Sequence, residues 1–202
     1  MTVQTTLPKS HQTLSVSCSK ALSEQARWLL DLLTKMNSTG KEMFDGTTIQ
    51  LGWSILSLRS SGSTLCVCEP NFDTNPFRET RDDLTCTLTI QAQQNEVLRK
   101  LGLDGVPAVF DEKIVLSKEC LSMQRVYLER SAGNVKGDSG WFVGPAESAP
   151  KRTEHEAVYV YQLLRLRPTL MQVLALPPGF MVVLDGNLIE AVLNERNENL
   201  WR

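Results

Sequence analysis

The sequence predicts an α+β protein of mainly antiparallel, twisted sheets with packed helices, arranged as two subregions. Three observations carry this reading. One N-terminal segment repeats apolar residues at three- and four-residue spacing, the mark of an amphipathic helix. Short runs of high β propensity, separated by Gly, Pro, Asn and Asp, fill much of the rest. The two kinds of element alternate without a regular βαβ repeat, which disfavours a doubly wound parallel sheet. The 202 residues are 42% hydrophobic and 22% charged, enough apolar content for a buried core and unlike a disordered chain.

Residues 1–17 are polar and rich in Thr and Ser, and read as a flexible tail. Residues 18–112 form the first α+β region. In it Leu22, Ala26, Leu29, Leu30, Leu33 and Met36 line one face of a helix over Ser19–Met36, with Ser19 at its N-cap and Gly40 just past its end. Thr48–Leu58 reads as a strand anchored by Trp53. Ser60-Ser61-Gly62-Ser63 is a turn, and Thr64–Glu69 is the returning strand, with Cys66 and Cys68 on one face. Residues 70–83 make a loop of mixed charge. Thr85–Ile90 has strand propensity, yet Leu84, Leu88, Ala92, Leu98 and Leu101 fit a helix ending at Gly102, and a helix from about Leu88 is favoured.

Gly105 and Pro107 mark a connection into the second region, residues 113–202. Strands are expected at Ile114–Ser117, Val126–Glu129 and Trp141–Val143, then a charged loop from Glu147 to Glu154 and a helix from about Glu156 to Arg165. Pro168 suits the first turn of another helix. Phe180–Leu184 and Leu188–Val192 form a closing hairpin around Asp185-Gly186. The segments at Leu163-Leu164 and Met171–Leu174 could bury a homodimer seam as readily as a core.

Several function classes are disfavoured. A formal charge of −2 lacks the basic excess of a general nucleic-acid binder. The N-terminus shows no apolar signal region, and no apolar run approaches the ~20 residues of a membrane span. Five cysteines, an odd number without framework spacing, suit a reducing compartment. The chain is therefore read as cytoplasmic, with no membrane partner. His11 and His155 have no partner at metal-ligand spacing, and no Gly-rich phosphate loop is present, so neither metal nor cofactor is expected.

Two stretches invite a functional reading. Gly137-Asp138-Ser139-Gly140 can close a tight turn before Trp141-Phe142, whose side chains point to opposite faces of a strand, one toward the core and one outward. The plain reading is a turn that sets strand register. The competing one makes Asp138, Ser139 and Phe142 part of a binding face. Asp138, Ser139 and His155 also supply the residue types of a hydrolytic triad, although Ser139 is not in a Gly-x-Ser-x-Gly elbow. The second stretch holds Glu69, Asp73, Glu79, Asp82 and Asp83 beside Arg78 and Arg81. It is either a solvated surface or a steering patch for a basic partner.

The segments Ser117-Lys118, Tyr127-Leu128-Glu129-Arg130 and Asp138-Ser139-Gly140-Trp141-Phe142-Val143-Gly144, followed by Leu176-Pro177-Pro178-Gly179, resemble the Imm33-like immunity proteins of bacterial polymorphic-toxin and type VI secretion systems. The resemblance covers residues 114–193; Pro145-Ala146-Glu147-Ser148 departs from it where a denser acidic run would be expected. Gly52-Trp53, Cys68-Glu69-Pro70-Asn71-Phe72 and Gln94–Gly102 resemble a companion region. What this implies is a cytoplasmic, non-enzymatic protein that neutralises a cognate secreted toxin by direct occlusion. A type VI effector with nuclease activity is the preferred partner class. The partner-binding residues would be drawn from Glu69, Asp73, Glu79, Asp82, Asp83, Asp138, Ser139 and Phe142. The rival readings are a small cytosolic hydrolase using Ser139 and His155, and a scaffolding adaptor without chemistry.

Overall fold

A computed structural model describes residues 1–133, 135–147 and 154–202, which form two compact α+β units, Met1–Ala92 and Gln93–Arg202. Most of the predicted charged loop, residues 148–153, lies outside the described residues. Among the described residues no helix is long and apolar enough to cross a membrane.

The first unit holds strands β1 (Thr2–Thr6), β2 (Thr13–Ser17), β3 (Thr48–Leu51), β4 (Ser54–Ser61), β5 (Thr64–Pro70) and β6 (Thr80–Arg81). They make one sheet in the order β1-β2-β5-β4-β3, with β6 paired to β5. Helix α1 (Ser23–Ser38) buries Ala26, Leu29, Leu30 and Leu33 in a core with Leu14, Val16, Leu56, Leu58, Leu65 and Val67. It follows a 3-10 turn at Lys20–Leu22, and Ser19 makes no side-chain cap bond there.

Residues 1–17 are thus not a loose tail. Leu7, Leu14 and Val16 are fully buried, and β2 runs parallel to β5 through Leu14↔Leu65. Three apolar side chains at the right register outweigh a polar average composition.

Thr48–Leu58 is likewise two strands rather than one. Gly52, at φ +55°, reverses the chain, so β4 buries Leu56 and Leu58 instead of Ile55 and Ser57. A Cβ at Gly52 would collide with the Gln91 side chain. Trp53 remains the anchor. It is fully buried, stacks on Phe72 at 4.8 Å and donates its indole N–H to the Thr87 carbonyl at 3.3 Å.

Helix α2 (Thr85–Leu101) settles residues 85–90 as helical, with Leu84 just before it. Leu84 and Leu88 join the first core, whereas Gln94 donates to the Met171 carbonyl in the second unit at 2.9 Å. The division between units therefore falls inside one helix, upstream of the connection near residue 112 where composition placed it.

The second unit carries β7 (Lys113–Ser117), β8 (Arg125–Arg130), β9 (Asp138–Pro145), β10 (His155–Tyr159), β11 (Met181–Asp185) and β12 (Leu188–Leu193), in the order β10-β7-β9-β8-β11-β12. Only β7 and β9 pair in parallel. The predicted helix from Glu156 is instead β10, antiparallel to β7; Val158 is buried there, and sheet pairing overrides the weak helical pattern. A 3-10 turn at Val160–Gln162 leads to the short helix α3 (Leu163–Leu166), and a second, with Pro168 in its first turn, spans Pro168–Val173. Leu163, Leu170, Met171, Val173 and Leu174 are fully buried within the chain, so they form core and not an available dimer seam.

The Gly137–Gly140 turn becomes a bulge within β9. Lys113 pairs with Asp138 and Val115 with Phe142, so two steps on β7 face four on β9. Gly140 sits at φ +74°, and a Cβ there would collide with the Ser131 carbonyl oxygen. Gly140→Ala is therefore expected to destabilise the protein by about 2 kcal/mol or more, adding a left-handed penalty to a clash. A thermal or urea midpoint unchanged from wild type would contradict this account of the bulge.

Candidate functional site

Alternation along the second sheet separates an inner from an outer face. Ile114, Leu116, Val126, Leu128, Trp141, Val143, Val182 and Leu184 are buried. Trp141 donates its indole N–H to the Leu174 carbonyl at 3.3 Å, tying the inner face to the 3-10 segment. The intervening side chains form the outer face.

Register lines these residues up in rows. One row crosses all six strands: Ala157, Val115, Phe142, Glu129, Met181, Leu193. A second runs Gly144, Tyr127, Val183, Ala191. The Phe142 ring lies 5.9 Å from Tyr127 and 5.6 Å from His155, tilted to both. Gly144 makes this possible, because a Cβ there would come within 2.7 Å of Tyr127 and 2.8 Å of Phe142. Arg125 and Glu190 close one margin with two hydrogen bonds of 2.7 Å. Burial, and then the neighbouring charge of Glu129, pushes the Tyr127 phenol up from its ordinary pKa.

Phe142 is thus the outward member of the Trp141-Phe142 pair, and Asp138 is exposed, its carboxylate accepting the Gly140 N–H at 2.9 Å. Ser139 departs from the binding-face reading. It is 3% exposed; its hydroxyl donates to the Lys113 carbonyl at 2.7 Å and accepts the Trp141 N–H at 3.3 Å. The bulge spends this serine on backbone groups that the ladder leaves unpaired. Nor does it meet His155. Ser139 is bonded to Lys113, while His155 pairs with Ser117, four residues or about 13 Å along β7. The hydrolytic reading loses its geometry.

Arg130, on the inner side of β8, is 7% exposed. Its guanidinium donates to the carbonyls of Ser139 at 3.1 Å, Leu176 at 2.5 Å and Val106, and lies 5.6 Å from the Trp141 ring centre. Burial draws its pKa below the usual arginine value. The Tyr-x-x-Arg spacing therefore places one aromatic outward and one cation inward on the same strand, because positions three apart fall on opposite faces.

The acidic stretch is largely committed to the first unit's own structure. Glu69, expected at a partner surface, is fully buried. One oxygen pairs with Arg81 at 2.7 Å and the other accepts the Thr87 N–H at 2.8 Å, in the first turn of α2. Burial pushes its carboxyl up, against the hydrogen bonds from Thr87 and Arg81. Asp73 bonds the same guanidinium at 2.6 Å, and Glu79 accepts from the Thr74 hydroxyl at 2.6 Å. Asp83 accepts the Thr85 hydroxyl at 2.5 Å and its N–H at 2.9 Å, capping α2. Asp82 is exposed and enters none of these contacts.

Tyr127, Glu129, Met181 and Val183 were not singled out by sequence reasoning. The signal was present: each alternates with a residue that must be core.

Glu69→Ala should cost about 2–3 kcal/mol, since it leaves the buried Thr87 N–H without its acceptor and Arg81 with Asp73 alone of its two carboxylates. Asp83→Ala should cost about 1 kcal/mol at neutral pH. The Thr85 hydroxyl, then its N–H, holds the Asp83 carboxyl below its ordinary value. That contribution is complete above about pH 4 and lost as pH falls through the lower folded value. Denaturant melts from pH 7 to 2 check both; an acid limb identical in wild type and Asp83→Ala would refute the cap.

A family model described as the Imm33-like domain matches residues 93–195, about half of the chain, beginning where the second unit begins. Neither the curated proteins nor the solved structures give a match. The matched span contains every strand of the outer face and both the Tyr-x-x-Arg and Asp-Ser-Gly-Trp segments. The chain belongs to the Imm33-like family of immunity proteins.

Proposed function

We propose that this chain is the immunity half of a toxin–immunity pair: it binds a cognate secreted toxin and silences it by covering its active surface, with no covalent chemistry of its own. The observation that carries the reading is the family match over the unit that displays the outer face. Aromatic and apolar side chains on a rigid sheet, with few charges among them, have the composition of an interface centre rather than of a solvated surface. The finer reading is a type VI effector met in the cytoplasm, with a nuclease as the preferred toxin. Asp73, Glu79, Asp82 and Asp138 are exposed and would favour approach of a cationic toxin surface. Self-protection demands a tight complex, so more than ~1,200 Å² should be buried, centred on Phe142 and Tyr127.

Co-expression with the product of the adjacent open reading frame tests this. Cells should survive only with the chain present, and the two proteins should co-purify. Phe142→Ala should weaken the complex at least tenfold through faster dissociation, with the thermal midpoint near wild type. Asp82→Lys should act mainly on the association rate, in a salt-dependent way. No protection and no complex would sink the proposal.

A further inference from the structure

The outer face has one charge at its middle. In the row that crosses six strands, five positions are apolar and the sixth is Glu129, flanked by Phe142 on β9 and Met181 on β11. Glu129 is exposed, and no described cation pairs with it. On its own strand, Arg130 points to the inner face and donates to backbone carbonyls, and Arg125 is held by Glu190 through its Nε–Nη2 edge.

Two shallow depressions open on either side of the Glu129–Met181 pair. One, of roughly 270 Å³, is walled by Tyr127 and Val183; the other, of roughly 380 Å³, by Phe142 and Glu195. Each is large enough for an extended side chain and its head group. Each offers a carboxylate and an aromatic ring; each is also lined by an arginine already engaged within the chain, Arg125 by Glu190 in one and Arg130 by backbone carbonyls in the other.

An isolated carboxylate amid rings and a thioether is a poor surface for apolar docking alone. Covering it without a counter-charge would cost several kcal/mol. The same arrangement is favourable for a guanidinium. Its planar fork can take both oxygens of Glu129 while its face lies against Tyr127 or Phe142. An ammonium matches the charge but not the plane.

We infer that the outer face recognises its protein partner through an arginine-bearing basic segment, whose guanidinium seats on Glu129 with its face against the Tyr127 or the Phe142 ring. This rests on the toxin-binding reading and names the chemistry of the toxin side. The exposed carboxylates steer the encounter, and the central one selects the occupant.

The test uses the full chain and the protein encoded beside it, titrated by calorimetry at 50 to 500 mM NaCl. Glu129→Gln, which keeps the shape, should weaken binding at least tenfold and flatten the salt dependence. Glu129→Lys should abolish binding, and an arginine-to-glutamate change in the partner should restore it. Asp82→Lys, on the other unit, should change affinity less than Glu129→Gln at high salt. Wild-type affinity in Glu129→Gln, with a complex still formed, overturns this inference and leaves the immunity reading standing. Absence of any complex with the wild-type chain overturns both. A wild-type chain that elutes as a dimer, and as a monomer with Glu129→Gln, would place a second copy on the face instead and also overturn it.

Discussion

A guanidinium enclosed by backbone carbonyls organises the immunity-family unit. Arg130 reaches from β8 to the carbonyls of Val106, Ser139 and Leu176, joining β9 to two segments that are themselves tied by the Val106 N–H to Ala175 and the Ala108 N–H to Leu174. A cation can be buried only when its N–H groups are met, and here peptide oxygens meet them rather than a carboxylate. The neighbouring main chain adds to this, since the Arg130 N–H donates to Phe180 and its carbonyl accepts from Gly179. Lysine would keep the charge but could not hold three separate carbonyls in one plane. The same anchor fixes the short strand that carries Tyr127 and Glu129 on the outer face.

Neighbouring residues of one type serve opposite ends. Asp82 and Asp83 are adjacent and both exposed, yet Asp83 accepts the N–H of the first residue of a helix while Asp82 has no such bond. Glu69, ten or so positions earlier, is inside the fold altogether. Ser139 and Phe142 show the same division within one strand. A binding reading based on residue type alone assigns all of them to a surface. Their hydrogen bonds decide otherwise: Ser139 and one oxygen of Glu69 answer backbone groups, and the other Glu69 oxygen answers Arg81.

That difference marks how far the sequence could be read. The α+β class, α1, the Thr64–Glu69 strand and the Asp185-Gly186 hairpin were legible because period and turn chemistry agree there. Phe142 was legible as an outward aromatic once Trp141 was taken as core. Misreadings arose where a local signal was outvoted by pairing. Residues 1–17 look polar on average but place three apolar side chains in register. Gly52 reverses a run that reads as continuous strand. Glu156–Tyr159 is drawn into an edge pairing with β7. The outer face itself was hidden because its rows join residues from Val115 to Leu193, and no linear pattern states which strands are neighbours.

The strand order β10-β7-β9-β8-β11-β12 carries a further implication. The row through Phe142 and Glu129 draws on every strand, including a parallel pair that no hairpin can close early. Strands β7, β8 and β9 supply Val115, Glu129 and Phe142, and the other three positions come from β10, β11 and β12. The full row is complete only once β12, the last strand in sequence, has docked on β11. If that row is the recognition surface proposed above, the time needed to complete this sheet is itself a limit on how soon after synthesis the chain can act.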